Sequence, residues 1–152
     1  MTTYATEPRP GTGLTTLYVE AQRFYARQVR LLDALRLDEF ASTFTADGVF
    51  AAPPDVPTVL GRDGIAAALR EAHTRRFGTE PVRCRHWFNM LQVEPGPEGT
   101  LLTSFYMLTM TSRPWDPAPV VGLSSVVDDV LVYEEGELRT RERRITHDHM
   151  SF

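Results

Sequence analysis

The chain contains no lysine: all 16 basic residues are arginine, against 20 acidic ones and a formal net charge of −4. Such a balance offers no basic footprint to a phosphate backbone, so nucleic acid is excluded as an expected partner. Cysteine occurs once, at Cys84, which rules out an intrachain disulfide framework and a cysteine-based metal cluster. Asn89 is the sole asparagine, and Ile65 and Ile145 the sole isoleucines. Lysine, asparagine and isoleucine have AT-rich codons, so their scarcity is the fingerprint of a GC-rich genome. No apolar run approaches the roughly 20 residues a bilayer requires. The N-terminus shows no basic region followed by an apolar core. The expectation is a cytoplasmic chain with no membrane partner. No glycine-rich loop follows a strand pattern, so a nucleotide has no seat and no cofactor is expected. What remains is ordinary globular composition: 152 residues, 42% hydrophobic and 24% charged, enough for one domain with a real core.

Residues 1–13 hold two Pro, two Gly and four Thr without periodicity and read as a flexible tail, leaving residues 14–152 as the domain. From Leu14 the apolar residues Leu17, Tyr18, Ala21, Phe24, Tyr25, Val29, Leu32 and Leu35 recur at helical spacing, predicting one long helix to about Arg36. Asp38 reads as the N-cap of a short helix, Glu39 to Phe44. Asp47-Gly48 makes a turn, Val49 to Ala52 a short strand, and a loop follows to Gly61. A third helix runs from Gly64 to Phe77, with Gly78 where a C-cap belongs. Beyond Pro81 four strands are predicted: Val82 to Val93, Leu101 to Arg113, Val121 to Tyr133 and Glu137 to His147. Their hairpin connections make the sheet largely antiparallel, and helices followed by a strand meander give an α+β layout.

Val82 to Val93 is the most informative stretch. With period-two alternation, Val82, Cys84, His86, Phe88 and Met90 share the buried face and Arg83, Arg85, Trp87 and Asn89 the other. His86 is thus either a satisfied core residue or the working group of a pocket. Cys84 reads as a small buried hydrophobe. The strand Leu101 to Met110 is apolar on both faces, including Tyr106 and Leu108 on the even one. Helices cover one face; the other is expected to meet a second copy of the chain, giving a homodimer through the outer sheet face. On the last strand Arg139, Arg141 and Arg143 share one face, and Thr140, Glu142 and Arg144 the other. Glu142 and Arg144 are expected to point inward unless a bulge reverses the parity.

The order of these features resembles a known superfamily. A long helix with Asp33 near its end, DEFASTFTADGVF (Asp38 to Phe50), GRDGI (Gly61 to Ile65) and four long strands resemble the NTF2-like superfamily, and within it the SnoaL-like group. The resemblance implies a cone: a curved antiparallel sheet wrapped around a long N-terminal helix with two shorter helices, leaving a pocket open at one end. Scytalone-dehydratase-like members carry a pocket Asp near the end of the first helix and a His on the first long strand. Asp33 and His86 fall at the matching places. Those members use a second His on the next strand and a pair of Tyr; here that strand offers Thr109 and Thr111, and Leu32 stands where one Tyr is expected. Small tailoring proteins of bacterial aromatic polyketide pathways are similar in length and pattern. The β subunits of aromatic-ring-hydroxylating dioxygenases are similar in the helical part and in LRTRERRITHDHMSF (Leu138 to Phe152).

The expected catalytic pair is Asp33 and His86, since a carboxylate that orients an imidazole makes a general base suited to neutral pH. Tyr25 and Tyr106 are candidates to hydrogen-bond a developing enolate oxygen. Phe50, Phe88 and Met90 are expected to line an apolar cavity suited to an aromatic ligand, and Arg144 to bind substrate oxygens. His147 and His149 have the i, i+2 spacing of a metal pair, but third ligands are lacking and no metal site is expected. The function expected is a cofactor-independent acid–base enzyme: a dehydratase, cyclase or isomerase on a polyketide-like aromatic or ketone intermediate. The alternative is a non-catalytic oxygenase β subunit or a small-molecule binding protein.

Overall fold

The structure, a computed structural model, describes residues 13–54 and 56–152; the expected tail therefore lies almost wholly outside the described residues. Helix α1, Leu14–Asp33, buries Leu17, Ala21, Tyr25 and Gln28 along one stripe. It stops short of Arg36 for a reason the sequence conceals. Leu35 takes φ +56°, its N–H bonds Leu32 O, and the Arg36 N–H bonds Leu31 O, both at 3.0 Å. This is a Schellman ending with leucine in the left-handed position that glycine ordinarily occupies. Asp33 consequently sits in the final turn of the helix. Helix α2 is Leu37–Ser42, not Glu39 to Phe44, with Asp38 inside its first turn and no side-chain cap.

Strand β1, Phe44–Ala52, is longer than expected because Asp47-Gly48 is a bulge within it and not a turn before it. Between the pairs Phe44–Thr140 and Val49–Glu142 the register slips. A Cβ on Gly48 would lie 3.0 Å from Phe44 Cβ, so the close approach requires glycine. Strand β2, Val56–Leu60, occupies the expected loop; Pro57 is tolerated because β2 is an edge strand. Helix α3 spans Gly61–Phe77 and ends at Gly78 with φ +57°. Strands β3 (Arg83–Pro95), β4 (Leu101–Ser112), β5 (Val120–Glu134) and β6 (Glu137–His147) follow.

The sheet order is β2-β1-β6-β5-β4-β3. All pairings are antiparallel except β1 with β6, which is parallel. The result is the α+β cone expected: α1 lies in the concave side of a curved sheet, over a core that includes Ala21, Phe40, Phe44, Phe105, Val127 and Leu131. No helix among the described residues is long and apolar enough to cross a membrane.

Two irregularities decide which side chains face inward. In β3 the register shifts between Asn89 and Gln92, where Met90 adopts φ +57°. Inward positions are Cys84, His86 and Phe88 before the bulge, and Leu91 and Val93 after it. In β6, Thr140 pairs with Leu131 but Glu142 with Val130, leaving Arg141 as the extra residue. Inward parity therefore passes from Leu138 and Thr140 to Arg143, Ile145 and His147.

Candidate functional site

The inner face of the sheet reads as successive rungs. Thr103, Asp129 and Arg143 stand side by side on β4, β5 and β6; Phe105, Val127 and Ile145 form the next inward rung, and Met107, Ser125 and His147 the one after that. Phe88 adjoins Met107, and His86 adjoins Thr109. Moving along the rungs, the lining changes from a sealed polar cluster, through an apolar layer, to an open cavity.

The polar cluster is dry and fully partnered. The Arg143 guanidinium gives Asp129 two hydrogen bonds, 2.9 and 2.7 Å, and donates to Gln28 Oε1 at 2.6 Å. Gln28 Nε2 donates to Thr43 and Thr140. The Tyr25 hydroxyl donates to Asp129 at 2.7 Å and lies 2.5 Å from Thr103 Oγ1. Arg143 also rests over the rings of Tyr25, Phe44 and Phe105. Burial, and then the Asp129 charge, push the Tyr25 phenol well above its ordinary range, with Arg143 and Thr103 only partly opposing. For Arg143, burial alone acts to lower the pKa, but Asp129 and Tyr25 outweigh it and raise it. The cluster is thus a permanent ion pair with a neutral phenol, and it holds α1 against the sheet.

Two turns further along α1, about 12 Å at 1.5 Å per residue, Asp33 reaches the cavity. Its Oδ1 accepts the backbone N–H of His86 at 3.2 Å and lies 2.7 Å from His86 Nδ1. The side chains are 8% and 19% exposed, so the contact is shielded yet the ring is reachable. Because a carboxylate only accepts, Nδ1 must carry the proton, and Nε2 of the neutral ring is left as the basic nitrogen. The two bonds to one oxygen fix both ring orientation and tautomer.

The cavity is about 200 Å³ and mainly apolar. Leu32, Phe50, Leu69, Met107, Leu123 and Ile145 contribute its greasy wall, and Asp33, His86, Ser125 and His147 are among its polar groups. Cys84, also on the wall, sits 3.8 Å from Thr111 Oγ1. His147 is 5% exposed and its Nδ1 lies 2.8 Å from Ser125 Oγ. Its ring stacks on that of His149, but no group of His, Cys, Asp or Glu among the described residues is arranged to hold a metal. His73 borders the cavity from α3, its ring packed on Phe77.

Of the residues expected here, Asp33, His86 and Phe50 line the cavity. Tyr25 does not: its hydroxyl is consumed by the polar cluster. Phe88 packs edge-on against Tyr25 and tilted on Phe105, one layer away. Met90 is corrected to the outside, 63% exposed, because the β3 bulge turns it out. Tyr106 lies on the outer sheet face, 61% exposed, as even positions of β4 all do. Arg144 is exposed too; the β6 bulge turns it outward into a shallow depression shared with Asp128 and Glu142, and Arg143 takes the inward place. His147 and Ser125 are the functional candidates that sequence reasoning missed. The alternation on β6 pointed to them only if the bulge was known.

With this geometry in place, the relationship to other proteins becomes specific. A SnoaL-like domain model matches residues 15–144. The chain belongs to the SnoaL-like family. Among solved structures this SnoaL-like chain is similar to ActVI-ORFA from Streptomyces coelicolor, at 37% identity over 88% of this chain and 98% of that one, TM-score 0.82. It is similar to Aln2 from another Streptomyces species, at 34% identity over 91% and 95%, TM-score 0.80. A protein from Catenulispora acidiphila in complex with S-DNPA is 38% identical over 90% and 97%, TM-score 0.80. An NTF2-like protein with a cystatin-like fold from Novosphingobium aromaticivorans shares the fold at 18% identity over 93% and 94%, TM-score 0.72. Among curated proteins no sequence matches significantly.

Proposed function

We propose that this SnoaL-like chain is a cofactor-independent acid–base enzyme, a dehydratase, cyclase or isomerase, acting on a polyketide-like aromatic or ketone small molecule. One observation carries the reading: a carboxylate fixed on His86 Nδ1 at the wall of an otherwise apolar cavity. His86 Nε2 takes the proton from a carbon next to a carbonyl; the C–H electron pair becomes the enolate. Asp33 stabilises the imidazolium that forms, and the apolar wall keeps water from competing. The likeness to ActVI-ORFA and Aln2, and to a relative bound to a small molecule, supports a tailoring role of this kind. We also propose that two copies associate through the outer face of β3–β5. There Trp87 adjoins Leu108, and Arg85 adjoins Met110, beside Tyr106 and Val121, a partly exposed apolar patch.

The test uses 3-hydroxy-1-tetralone, a bicyclic β-hydroxyketone whose loss of water gives 1-naphthol. Wild type is expected to accelerate naphthol formation, and His86→Ala to lose about 10²-fold or more of that rate while melting and eluting as wild type does. Full activity in His86→Ala removes His86 from the mechanism. Binding of the probe without turnover by wild type would instead fit a carrier.

A further inference from the structure

Removing a proton is half of an elimination. The hydroxide that departs needs a proton of its own, and His86 cannot supply it while holding the one it has just taken. The neighbouring strand offers no imidazole there: β4 places Thr109 beside His86. On the sheet, however, a further imidazole lines the same space, His147. It arrives from β6, three places from β3 in the sheet order. At about 4.8 Å per strand the two backbones are roughly 14 Å apart along the sheet, and curvature turns both inward side chains toward the space between. His147 is held much as His86 is: Nδ1 is engaged by a neighbouring side chain, here the Ser125 hydroxyl on the adjoining rung. That contact orients the ring and places Nε2 on its far side.

Resting on the acid–base reading above, we propose that His147, positioned by Ser125, is the proton donor to the leaving oxygen, so that the site works with one imidazole on each side of the substrate. The sequence of events balances. His86 Nε2 removes the α proton and the C–H pair forms the enolate. The enolate pair returns to make the carbon–carbon double bond as the β C–O bond breaks. The departing oxygen takes the proton from His147 Nε2 and leaves as water. His86 ends protonated and His147 neutral, and exchange with solvent restores both. Protonated His147 donates through Nδ1 to Ser125 Oγ, which as a hydroxyl can accept, and through Nε2 to the substrate. Ser125 is thus a positioning residue. A hydroxyl in place of a second carboxylate fits the assignment: a carboxylate favours an imidazolium that keeps its proton, whereas a neutral hydroxyl lets the proton go.

The two half-reactions can be measured apart. Exchange of the α protons of 1-tetralone in deuterium oxide requires only the base, because that ketone has no leaving group. Conversion of 3-hydroxy-1-tetralone to 1-naphthol requires base and acid. For His147→Gln and His147→Ala the expected result is exchange within about threefold of wild type and naphthol formation lowered about 10²-fold or more, the usual worth of a general acid. Added imidazole is expected to restore part of the elimination to His147→Ala. Ser125→Ala is expected to slow elimination and leave exchange alone. His86→Ala loses both. Circular dichroism and melting confirm that each variant is folded. The proposal is overturned if elimination survives in both folded His147 variants. It is equally overturned if exchange and elimination fall together in them, which would put His147 on the carbonyl or in the scaffold. Selective loss of elimination in His73→Ala, with His147→Ala unaffected, would move the donor to α3. A wild type inert toward both ketones takes the acid–base reading down and this one with it.

Discussion

Asp33→Asn is the substitution that separates chemistry from folding most cleanly. It keeps the shape of the side chain and removes its charge. In the native protein one carboxylate oxygen accepts both the backbone N–H and the Nδ1–H of His86, at 3.2 and 2.7 Å. An amide can accept through its oxygen or present its NH2 to Nδ1. The first orientation loses the charge that steadies the imidazolium; the second selects the tautomer whose Nε2 carries a proton and cannot act as base. Either way proton abstraction suffers, by about 10²–10⁴-fold for a general base, or about 2.7–5.4 kcal/mol at 1.36 kcal/mol per tenfold. The effect on stability is far smaller. Exchanging a charge-assisted hydrogen bond for a neutral one costs about 1 kcal/mol. For a chain of this size that lowers the melting temperature by roughly 2–4 °C, and the low exposure of Asp33, 8%, works in the amide's favour by sparing a buried charge. The assay pairs α-proton exchange of 1-tetralone with a thermal melt. Exchange within about threefold of wild type would refute the role given to Asp33. A melting temperature lowered by more than about 10 °C would show that the carboxylate serves the fold first.

Two further outcomes follow from the polar cluster and the outer face. Tyr25→Phe removes the hydroxyl between Thr103 and Asp129 but leaves Asp129 its two bonds from Arg143; a loss of about 1–2 kcal/mol is expected in urea titrations, with tetralone exchange unchanged. Because burial and Asp129 raise the folded-state Tyr25 pKa, its protonated form is favoured by folding. That contribution is intact below the unfolded value of about 10 and is lost as pH rises beyond it, so wild type should lose stability above pH ~10 more steeply than Tyr25→Phe; equal slopes would contradict the assignment. On the outer face, Trp87→Glu with Tyr106→Glu should convert a dimer to a monomer in light scattering. A wild type that runs as a monomer at micromolar concentration would dismiss that interface.

Much of the molecule was legible from spacing alone. The stripe Leu17, Ala21, Tyr25 announced α1, and alternation from Cys84 to Phe88 placed His86 inward, because both signals are local consequences of backbone period. Asp33 was legible as its partner only through resemblance: 53 residues separate it from His86, and no local rule pairs side chains across that distance. Edges were misread where an unusual residue took a special conformation. Leu35 ends α1 in a glycine's place, and Pro57 hides an edge strand.

The sequence by itself therefore determined the fold class, the inward face of β3 up to Phe88, and the residue types available for proton transfer. Tertiary structure alone decided which of them meet. A single extra residue in a strand inverts every side chain beyond it, so the bulges at Met90 and Arg141 moved Met90 and Arg144 out and brought Arg143 and His147 in. Period-two reading carries no information about where such a residue falls, because a bulge is set by the pairing with neighbouring strands. Those strands are neighbours only once the sheet has formed.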